Sequence, residues 1–135
     1  MTILNKLNSK HIKQLHQLYQ NEWWTDKRTL EETQKVVDNS SIIIGLVDTE
    51  DNLIAFSRVL TDFTFKAIVF DVIVENSLRH KGLGKKLMNL ILNHEKLQEV
   101  KHFELYCLPE MVEFYKAYGF EDDLNELVFM RKQKL

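Results

Sequence analysis

Two helical patterns fill the N-terminal part of the chain. Starting at Ser9, a residue type that favours helix N-caps, side chains able to face a core recur every three to four positions. They are Ile12, Leu15, His16, Tyr19 and Trp23. Thr29 and Glu32 have the spacing of a capping box, which predicts a second, short helix that runs to about Asp38. The residues between the two helices, WWTDKR, are expected to form a loop.

Strand-like runs occupy the middle of the chain. Ser41 to Asp48 is rich in β-branched residues, and the turn composition TEDN separates it from the run LIAFSRVL, so the two runs predict a hairpin. Lys66 to Glu75 supplies a third long strand. Three antiparallel neighbours are therefore expected.

The second half of the chain begins with a helical pattern and ends with a strand-like run. One face of the helix is apolar, with Leu83, Leu87, Leu90, Ile91 and Leu97. The strand-helix-strand order predicts a right-handed crossover that lays Phe103 to Cys107 parallel to the Lys66 to Glu75 strand. Pro109 is expected to open a further helix that Gly119 closes, and ELVFMRK to form the last strand. The pattern predicts an α+β fold with a mixed sheet, in a single domain of residues 1–135.

Composition narrows the class of protein. With 135 residues, 44% of them hydrophobic and 28% charged, the chain is expected to be one soluble globular domain. The net charge of -2 gives no reason to expect a nucleic acid partner, and no apolar run is long enough to span a membrane. The only cysteine, Cys107, cannot form an internal disulfide, so a reducing cytoplasm is the expected location. The histidines show no metal-ligand spacing, and no metal is expected.

Basic residues crowd the expected N-terminus of the helix that begins near Leu83. Helix N-termini carry unpaired N–H groups and partial positive charge, so basic side chains are locally unfavourable there. These residues are Arg79, His80, Lys81, Lys85 and Lys86. A bound phosphate would satisfy both the cations and the free N–H groups, and Gly82 and Gly84 would let it approach the main chain. A solvated lysine-rich turn would also explain the lysines, although not two glycines in the first helical turn.

The spacing Arg79-x-x-Gly82-x-Gly84, directly after the Val72 to Val74 strand end, resembles the acyl-CoA pyrophosphate loop of the GNAT superfamily of N-acetyltransferases. The segment EFYKAYGF resembles that family's Phe-Tyr-x-x-x-Gly-Phe segment. The resemblance implies a mostly antiparallel central sheet with a splayed parallel strand pair, flanked by about four helices.

The resemblance also implies acetyl-CoA as the cofactor. The loop amides would hold the diphosphate of coenzyme A, and the strand end would hold its pantetheine arm through main-chain hydrogen bonds. The cofactor-binding residues that it implies are Val72, Ile73, Val74, Arg79, His80, Lys81, Gly82, Leu83, Gly84 and Lys85.

The activity that the resemblance implies is that of an acyltransferase, which moves an acetyl group from the thioester to a primary amine by direct attack. Such a reaction needs a neutral amine, a donor to the developing oxyanion and a proton for the departing thiolate. The family pattern suggests Tyr115 as the proton donor, although Tyr115 could instead pack an aromatic helix face with Phe114 and Tyr118. Asp71, a carboxylate inside an apolar strand, could relay the amine proton or could pair with Arg58 on the neighbouring strand.

The loop between the first two helices is expected to cover the acceptor amine. Adjacent tryptophans cannot both face the core of one helix, so at least one of Trp23 and Trp24 is expected to meet a ligand or another loop. With carboxylates beside them, they would suit a cationic amine. The residues expected to line this site are Glu22, Trp23, Trp24, Arg28 and Asp62. Glu22 is also a second candidate base.

The remaining expectations concern Cys107, the alternative function and assembly. Cys107 is expected to be a small buried residue rather than an acyl carrier, because the sequence shows no nearby base that would activate its thiol. A non-catalytic acyl-CoA-binding sensor is the alternative function, and Tyr115 at its expected place favours the enzyme. Monomer and homodimer both stay open, because an exposed final strand could pair two protomers.

Overall fold

The structure is a computed structural model that describes residues 1–134. The chain divides into two compact units, residues 1–105 and residues 106–135. The single domain expected from the sequence stays a prediction.

The first unit is built on a five-stranded sheet whose spatial order follows the chain. Its strands are β1 (Thr2–Leu4), β2 (Ile42–Val47), β3 (Leu53–Thr61), β4 (Lys66–Val74) and β5 (His102–Glu104). Neighbours from β1 to β4 are antiparallel, and β5 is parallel to β4. The predicted antiparallel meander and parallel crossover are confirmed, whereas β1 was not predicted because three residues carry too little periodicity to be recognised.

Three α-helices belong to this unit, and their bounds are α1 (Ser9–Gln20), α2 (Leu30–Asp38) and α3 (Leu83–Leu92). The side chain of Asn8, rather than that of Ser9, caps α1. The predicted capping box of α2 is present, because Thr29 Oγ1 accepts the N–H of Glu32 and a Glu32 carboxylate oxygen accepts that of Thr29, both at 3.0 Å. α3 is shorter than expected, and Leu97 lies in a separate 3₁₀ turn, where it is still buried.

The core of this unit lies where α1 packs on the sheet. Its buried members are Leu15, Leu18, Tyr19, Ile43, Val47, Leu53, Phe56 and Ile73. Leu87, Met88 and Ile91 bury the apolar face of α3. The prediction that Trp23 extends the buried face of α1 is wrong, because α1 ends at Gln20 and the Trp23 side chain is 71% exposed.

Strands β4 and β5 pair over only three positions, Lys66–Ile68 against His102–Glu104. β4 continues to Val74 without a strand partner on that side among the residues described. On its other side, the β3–β4 register shifts between Phe56 and Arg58, and Asp71 has a φ of 55°, the geometry of a β-bulge. The predicted parallel pairing of β4 and β5 is therefore confirmed, although β5 is shorter than the expected Phe103 to Cys107.

The second unit contains a 3₁₀ turn at Pro109–Met111 and helix α4 (Val112–Lys116). Gly119 ends this helical region with a φ of 91°, a conformation that glycine adopts without strain.

The prediction of a final strand over ELVFMRK is wrong for the described residues. Leu127, Val128, Phe129 and Met130 are 66% to 86% exposed. Within residues 126–134, the Leu127 N–H to the carbonyl of Leu124 is the one main-chain hydrogen bond described. A strand exists only through such pairing, so β propensity alone did not suffice here.

Candidate functional site

The glycine loop, residues 79–85, joins β4 to α3 through a 3₁₀ turn at Asn76–Leu78. His80 and Gly82 have φ values of 65° and 83°, and Gly82 occupies the N-cap of α3 without a side-chain cap. The first helical hydrogen bond runs from the N–H of Lys86 to the carbonyl of Gly82. Across residues 1–134, no acceptor is found for the main-chain N–H groups of residues 80–85. The loop therefore presents a row of free donors at the positive end of a helix dipole.

The side chains around these donors are basic and exposed. Arg79, Lys81 and Lys85 are exposed, so the loop combines cationic side chains with free main-chain N–H groups. An open groove of about 760 Å³ runs from the loop along α3, lined by Gly82, Lys85, Lys86, Asn89, Leu90, Asn93, His94 and Glu95. This combination favours an anionic ligand such as a phosphate or diphosphate.

The open edge of β4 lies directly before the glycine loop. Ile73 is buried against the core, while Val72 and Val74 are half-buried. Because β5 pairs with β4 only up to Ile68, main-chain groups near Val72 to Val74 face away from β3 without a strand partner among the described residues. Such an edge can pair with the amide groups of an extended ligand.

A buried ionic cluster surrounds Asp71 at the bulge of β4. The Asp71 side chain is only 3% exposed. It accepts hydrogen bonds from the Tyr19 hydroxyl at 2.8 Å and from Arg58 Nε at 2.7 Å. Arg28 completes the cluster with Nη1 at 2.7 Å and Nη2 at 3.2 Å from the two carboxylate oxygens. The pairing with Arg58, which the sequence left open, is observed.

The electrostatics of this cluster keep Asp71 ionised. Burial acts to raise the pKa of Asp71, but the hydrogen bonds and charges of Arg28 and Arg58 outweigh it and hold that pKa below its ordinary value. Burial, assisted by the Asp71 charge, raises the pKa of the Tyr19 phenol, which keeps this hydroxyl a donor. A carboxylate so fully engaged is poorly suited to take up a further proton. The catalytic role of Asp71 stays a prediction.

Two residues expected at the acceptor site are occupied in structural contacts. Besides pairing with Asp71, the Arg28 guanidinium lies 4.6 Å from the centre of the Tyr19 ring. Asp62 lies in the β3–β4 turn and accepts the main-chain N–H groups of Thr64, Phe65 and Lys66. These bonds hold the pKa of Asp62 below its ordinary value. Substrate contacts by Arg28 and Asp62 stay predictions.

The α1–α2 loop, residues 21–29, carries the other expected acceptor residues. The side chains of Trp23 and Trp24 are exposed, whereas that of Glu22 is 16% exposed. The Glu22 carboxylate forms an ion pair with the guanidinium of Arg79. The structure thus joins a residue expected to bind the acceptor to a residue expected to bind the cofactor.

In the second unit, Tyr115 is buried within an aromatic cluster. Its ring lies 5.0 Å from that of Phe114 and 6.1 Å from that of Phe120, both edge-on. Burial raises the pKa of Tyr115 to about 12, with smaller contributions from Cys107 and Tyr118. The phenol therefore stays protonated at neutral pH. The aromatic packing that was the alternative expectation is present, and the acid role of Tyr115 stays a prediction.

The expectation that Cys107 is buried is wrong, because its side chain is exposed. β5 ends at Glu104, so Cys107 is not part of that strand. Partial burial, together with Asp122 and Glu110, raises the pKa of its thiol. This environment does not generate a reactive thiolate.

Sequence reasoning missed Tyr19 and the ion pair between the two loops. Tyr19 reads as one more core residue of α1, and its contact with Asp71 spans 52 positions. Glu22 and Arg79 were both singled out, but nothing in their spacing of 57 positions indicates that they meet.

Among residues 1–134, no helix is long and apolar enough to cross a bilayer.

Comparison with known proteins agrees with this geometry. The sequence pattern of the acetyltransferase (GNAT) family matches residues 9–120. "Uncharacterized N-acetyltransferase ycf52" of Pyropia yezoensis is 32% identical over 116 residues, which cover 84% of this chain and 66% of that protein. The chain spans between 55% and 69% of the length of the ycf52 proteins that it matches. Several curated relatives are named as chloroplastic, and the cytoplasmic location stays a prediction.

Solved structures share the fold. A protein of Xanthomonas campestris pv. campestris assigned to the GNAT family superposes with a TM-score of 0.82 at 26% identity, covering 99% of this chain and 94% of that one. An aminoglycoside 6'-N-acetyltransferase in complex with coenzyme A has a TM-score of 0.66 at 23% identity, covering 78% and 61% of the two chains. The second likeness shows the fold alone. The fold predicted from the sequence is confirmed.

Proposed function

The chain belongs to the GNAT acetyltransferase family, whose members use acetyl-CoA, and on this premise we propose that it transfers an acetyl group from acetyl-CoA to a primary amine by direct attack. The observation that carries the proposal is the row of free main-chain N–H groups at residues 80–85. A diphosphate accepts hydrogen bonds on several oxygens at once, which matches several convergent donors.

The glycine loop would hold the diphosphate of coenzyme A. Its contacts would come from the amides of His80 to Lys85 and from the side chains of Arg79, Lys81 and Lys85. Gly82 serves this arrangement because its φ of 83° turns the chain into α3 without a side chain over the N–H groups. The donors at Leu83, Gly84 and Lys85 belong to the first turn of α3, so little order has to be created there on binding.

The open edge of β4 would hold the pantetheine arm. That arm contains two amides, which can pair with main-chain groups of Val72, Ile73 and Val74 in the manner of an added strand. The edge is available because the pairing of β4 with β5 ends at Ile68.

When bound, acetyl-CoA supplies the activated acetyl thioester. A main-chain N–H of Val72 to Val74, directly after the Asp71 bulge, would donate to the thioester oxygen as negative charge develops on it, since this stretch of β4 has no strand partner opposite β3 among the described residues. The Asp71 cluster would keep that bulge in place. The incoming amine must arrive neutral, and its proton would leave to solvent or to a carboxylate, for which Asp71 and Glu22 stay the candidates.

Tyr115 would interact with the departing sulfur. With its pKa raised to about 12, the phenol donates a hydrogen bond at every working pH. The thiol of coenzyme A, with an ordinary pKa of about 8.5, is a stronger acid than this phenol. The Tyr115 hydroxyl is therefore suited to stabilise the departing thiolate by a hydrogen bond, and it would give up its proton only if solvent supplied another.

The experiment is an assay of thiol release from acetyl-CoA against a panel of primary amines. Tyr115→Phe removes only the hydroxyl, and we expect kcat to fall by about 100-fold or more while the affinity for coenzyme A is retained. Tyr106→Phe, which removes the hydroxyl of an exposed tyrosine in the same unit, is the matched control and should match the parent.

Binding of coenzyme A without turnover on any amine would contradict the transfer reaction and favour a non-catalytic acyl-CoA-binding module. A first check is thermal: coenzyme A at about 100 times its dissociation constant should stabilise the protein by about 2.7 kcal/mol. The absence of any stabilisation would contradict both functions.

A further inference from the structure

The ion pair between Glu22 and Arg79 connects the α1–α2 loop to the glycine loop. Arg79 is the residue directly before the free N–H groups of the glycine loop, and Glu22 directly precedes the exposed Trp23 and Trp24. Each partner therefore belongs to one of the two segments that would bind the two substrates.

We infer that Arg79 exchanges Glu22 for the diphosphate of the cofactor, and that this exchange uncovers Glu22 for a cationic acceptor. The inference rests on the proposed function, because that function supplies the diphosphate. In the free protein, Arg79 covers Glu22. In the cofactor-bound protein, Glu22 is available to the acceptor.

The pair has the properties of an exchangeable contact. The Arg79 side chain is 43% exposed, and ion pairs in contact with water are weak. An arginine that meets a diphosphate instead forms charge-assisted and often bidentate hydrogen bonds. Arg79 directly precedes His80 in the sequence. A diphosphate bound by the N–H groups of His80 to Lys85 would therefore lie within reach of the Arg79 guanidinium and compete with Glu22 for it.

Glu22 has a physical reason to bind a cation once Arg79 has left. Its carboxylate is 16% exposed, and among residues 1–134 Arg79 is the one cation paired with it. A largely buried charge without a partner is costly, so an incoming ammonium group restores the balance. The exposed Trp23 and Trp24 add aromatic surface that suits the same group.

The chemistry of acetyl transfer narrows the class of amine that can be the acceptor. The amine that attacks must be neutral, whereas Glu22 attracts a charged one. Both conditions hold when the acceptor carries two amines, one of which stays protonated on Glu22 while the other reacts. A short alkyl diamine is the simplest such acceptor.

The first test is calorimetric titration with coenzyme A alone, which requires no acetyl transfer. Glu22→Gln removes the competitor for Arg79, so coenzyme A should bind about two- to fivefold more tightly, the range expected from loss of a partly exposed ion pair. Glu31→Gln makes the same change at an exposed position of α2 outside the described ion pairs, and it should leave the affinity unchanged. Equal or weaker binding by Glu22→Gln would overturn the exchange.

A double-mutant cycle separates exchange from a general effect on folding. Arg79→Gln should weaken coenzyme A binding, and in that background Glu22→Gln should have no further effect. If Glu22→Gln still tightens binding when Arg79 is absent, the pair is not the cause and the inference fails. Circular dichroism melts confirm that each variant is folded before titration.

The second test compares 1,4-diaminobutane with butylamine as acceptors at saturating acetyl-CoA. The parent should have the lower KM for the diamine, and Glu22→Gln should remove that preference by raising the KM for the diamine more than the KM for butylamine. An equal preference in parent and variant would overturn the acceptor part of the inference.

The outcomes distinguish this inference from the proposed function. If the parent does not bind coenzyme A, the proposed function fails. If the parent binds coenzyme A and Glu22→Gln has no effect, only the exchange fails, whatever the amine assay shows.

Discussion

Replacing Asp71 by asparagine should destabilise the folded protein strongly. Asparagine keeps the size of the side chain and tolerates the φ of 55° at this position, so the change isolates the loss of charge. Two guanidinium groups would then lack their counter-charge, and the side chains of Arg28 and Arg58 are only 28% and 11% exposed. Breaking a buried ion pair typically costs about 3 to 5 kcal/mol, and the partial exposure of Arg28 favours a loss of about 3 kcal/mol.

The free energy of unfolding that Asp71→Asn loses should depend on pH and become smaller in acid. The pKa of Asp71 is lowered on folding, so its contribution to stability is complete above the unfolded pKa, ordinarily 3.8, and is lost as pH falls through the lower folded pKa. The difference in the free energy of unfolding between parent and Asp71→Asn should therefore be constant from about pH 8 to about pH 5 and narrow below 3.8.

Urea unfolding followed by circular dichroism measures this difference at each pH. Asp26→Asn, the same substitution at an exposed position in the α1–α2 loop, is the control and should change stability by less than about 0.5 kcal/mol. A loss below about 1 kcal/mol for Asp71→Asn, or a loss that stays the same down to about pH 3, would refute the account of the cluster.

Three further outcomes are expected. Thr29→Ala removes the cap of α2 and should lower the free energy of unfolding by about 1 kcal/mol, measured by urea denaturation; no change would mean that the capping box is not maintained in solution. In Gly82→Ala the added methyl group meets open space, but the φ of 83° is strained for alanine, so the free energy of unfolding should fall by about 1 kcal/mol. A titration should also show weaker binding of coenzyme A. Because the pKa of Tyr115 is raised to about 12, the pH profile of kcat should show no decline from tyrosine ionisation up to about pH 10; an inflection that Tyr115→Phe abolishes would show that the phenol titrates lower.

Local signals predicted much of the first unit. The capping box at Thr29 and Glu32 and the turn between β2 and β3 depend on residues a few positions apart, and the structure has both. The glycine loop was found because its sequence breaks a local rule, with cations at the start of a helix. The free N–H groups at that position agree with that interpretation.

Non-local contacts could not be predicted in the same way. Arg28 meets Asp71 across 43 positions, and Glu22 meets Arg79 across 57. Helix α3 ends at Leu92, with Asn93 as its C-cap, although the apolar periodicity continues to Leu97. This end was not predicted because no glycine or proline marks it in the sequence. The segment from Glu126 has strand composition but lacks paired main-chain neighbours within the described residues.

The central claim is that the main-chain N–H groups of residues 80–85 bind the diphosphate of coenzyme A. The most direct measurement is an amide-resolved nuclear magnetic resonance titration of ¹⁵N-labelled protein with coenzyme A. We expect the largest shifts at His80 to Lys85 and slower hydrogen exchange of those amides in the complex. Saturable binding that leaves those amides unshifted, with the changes elsewhere on the protein, would contradict the account.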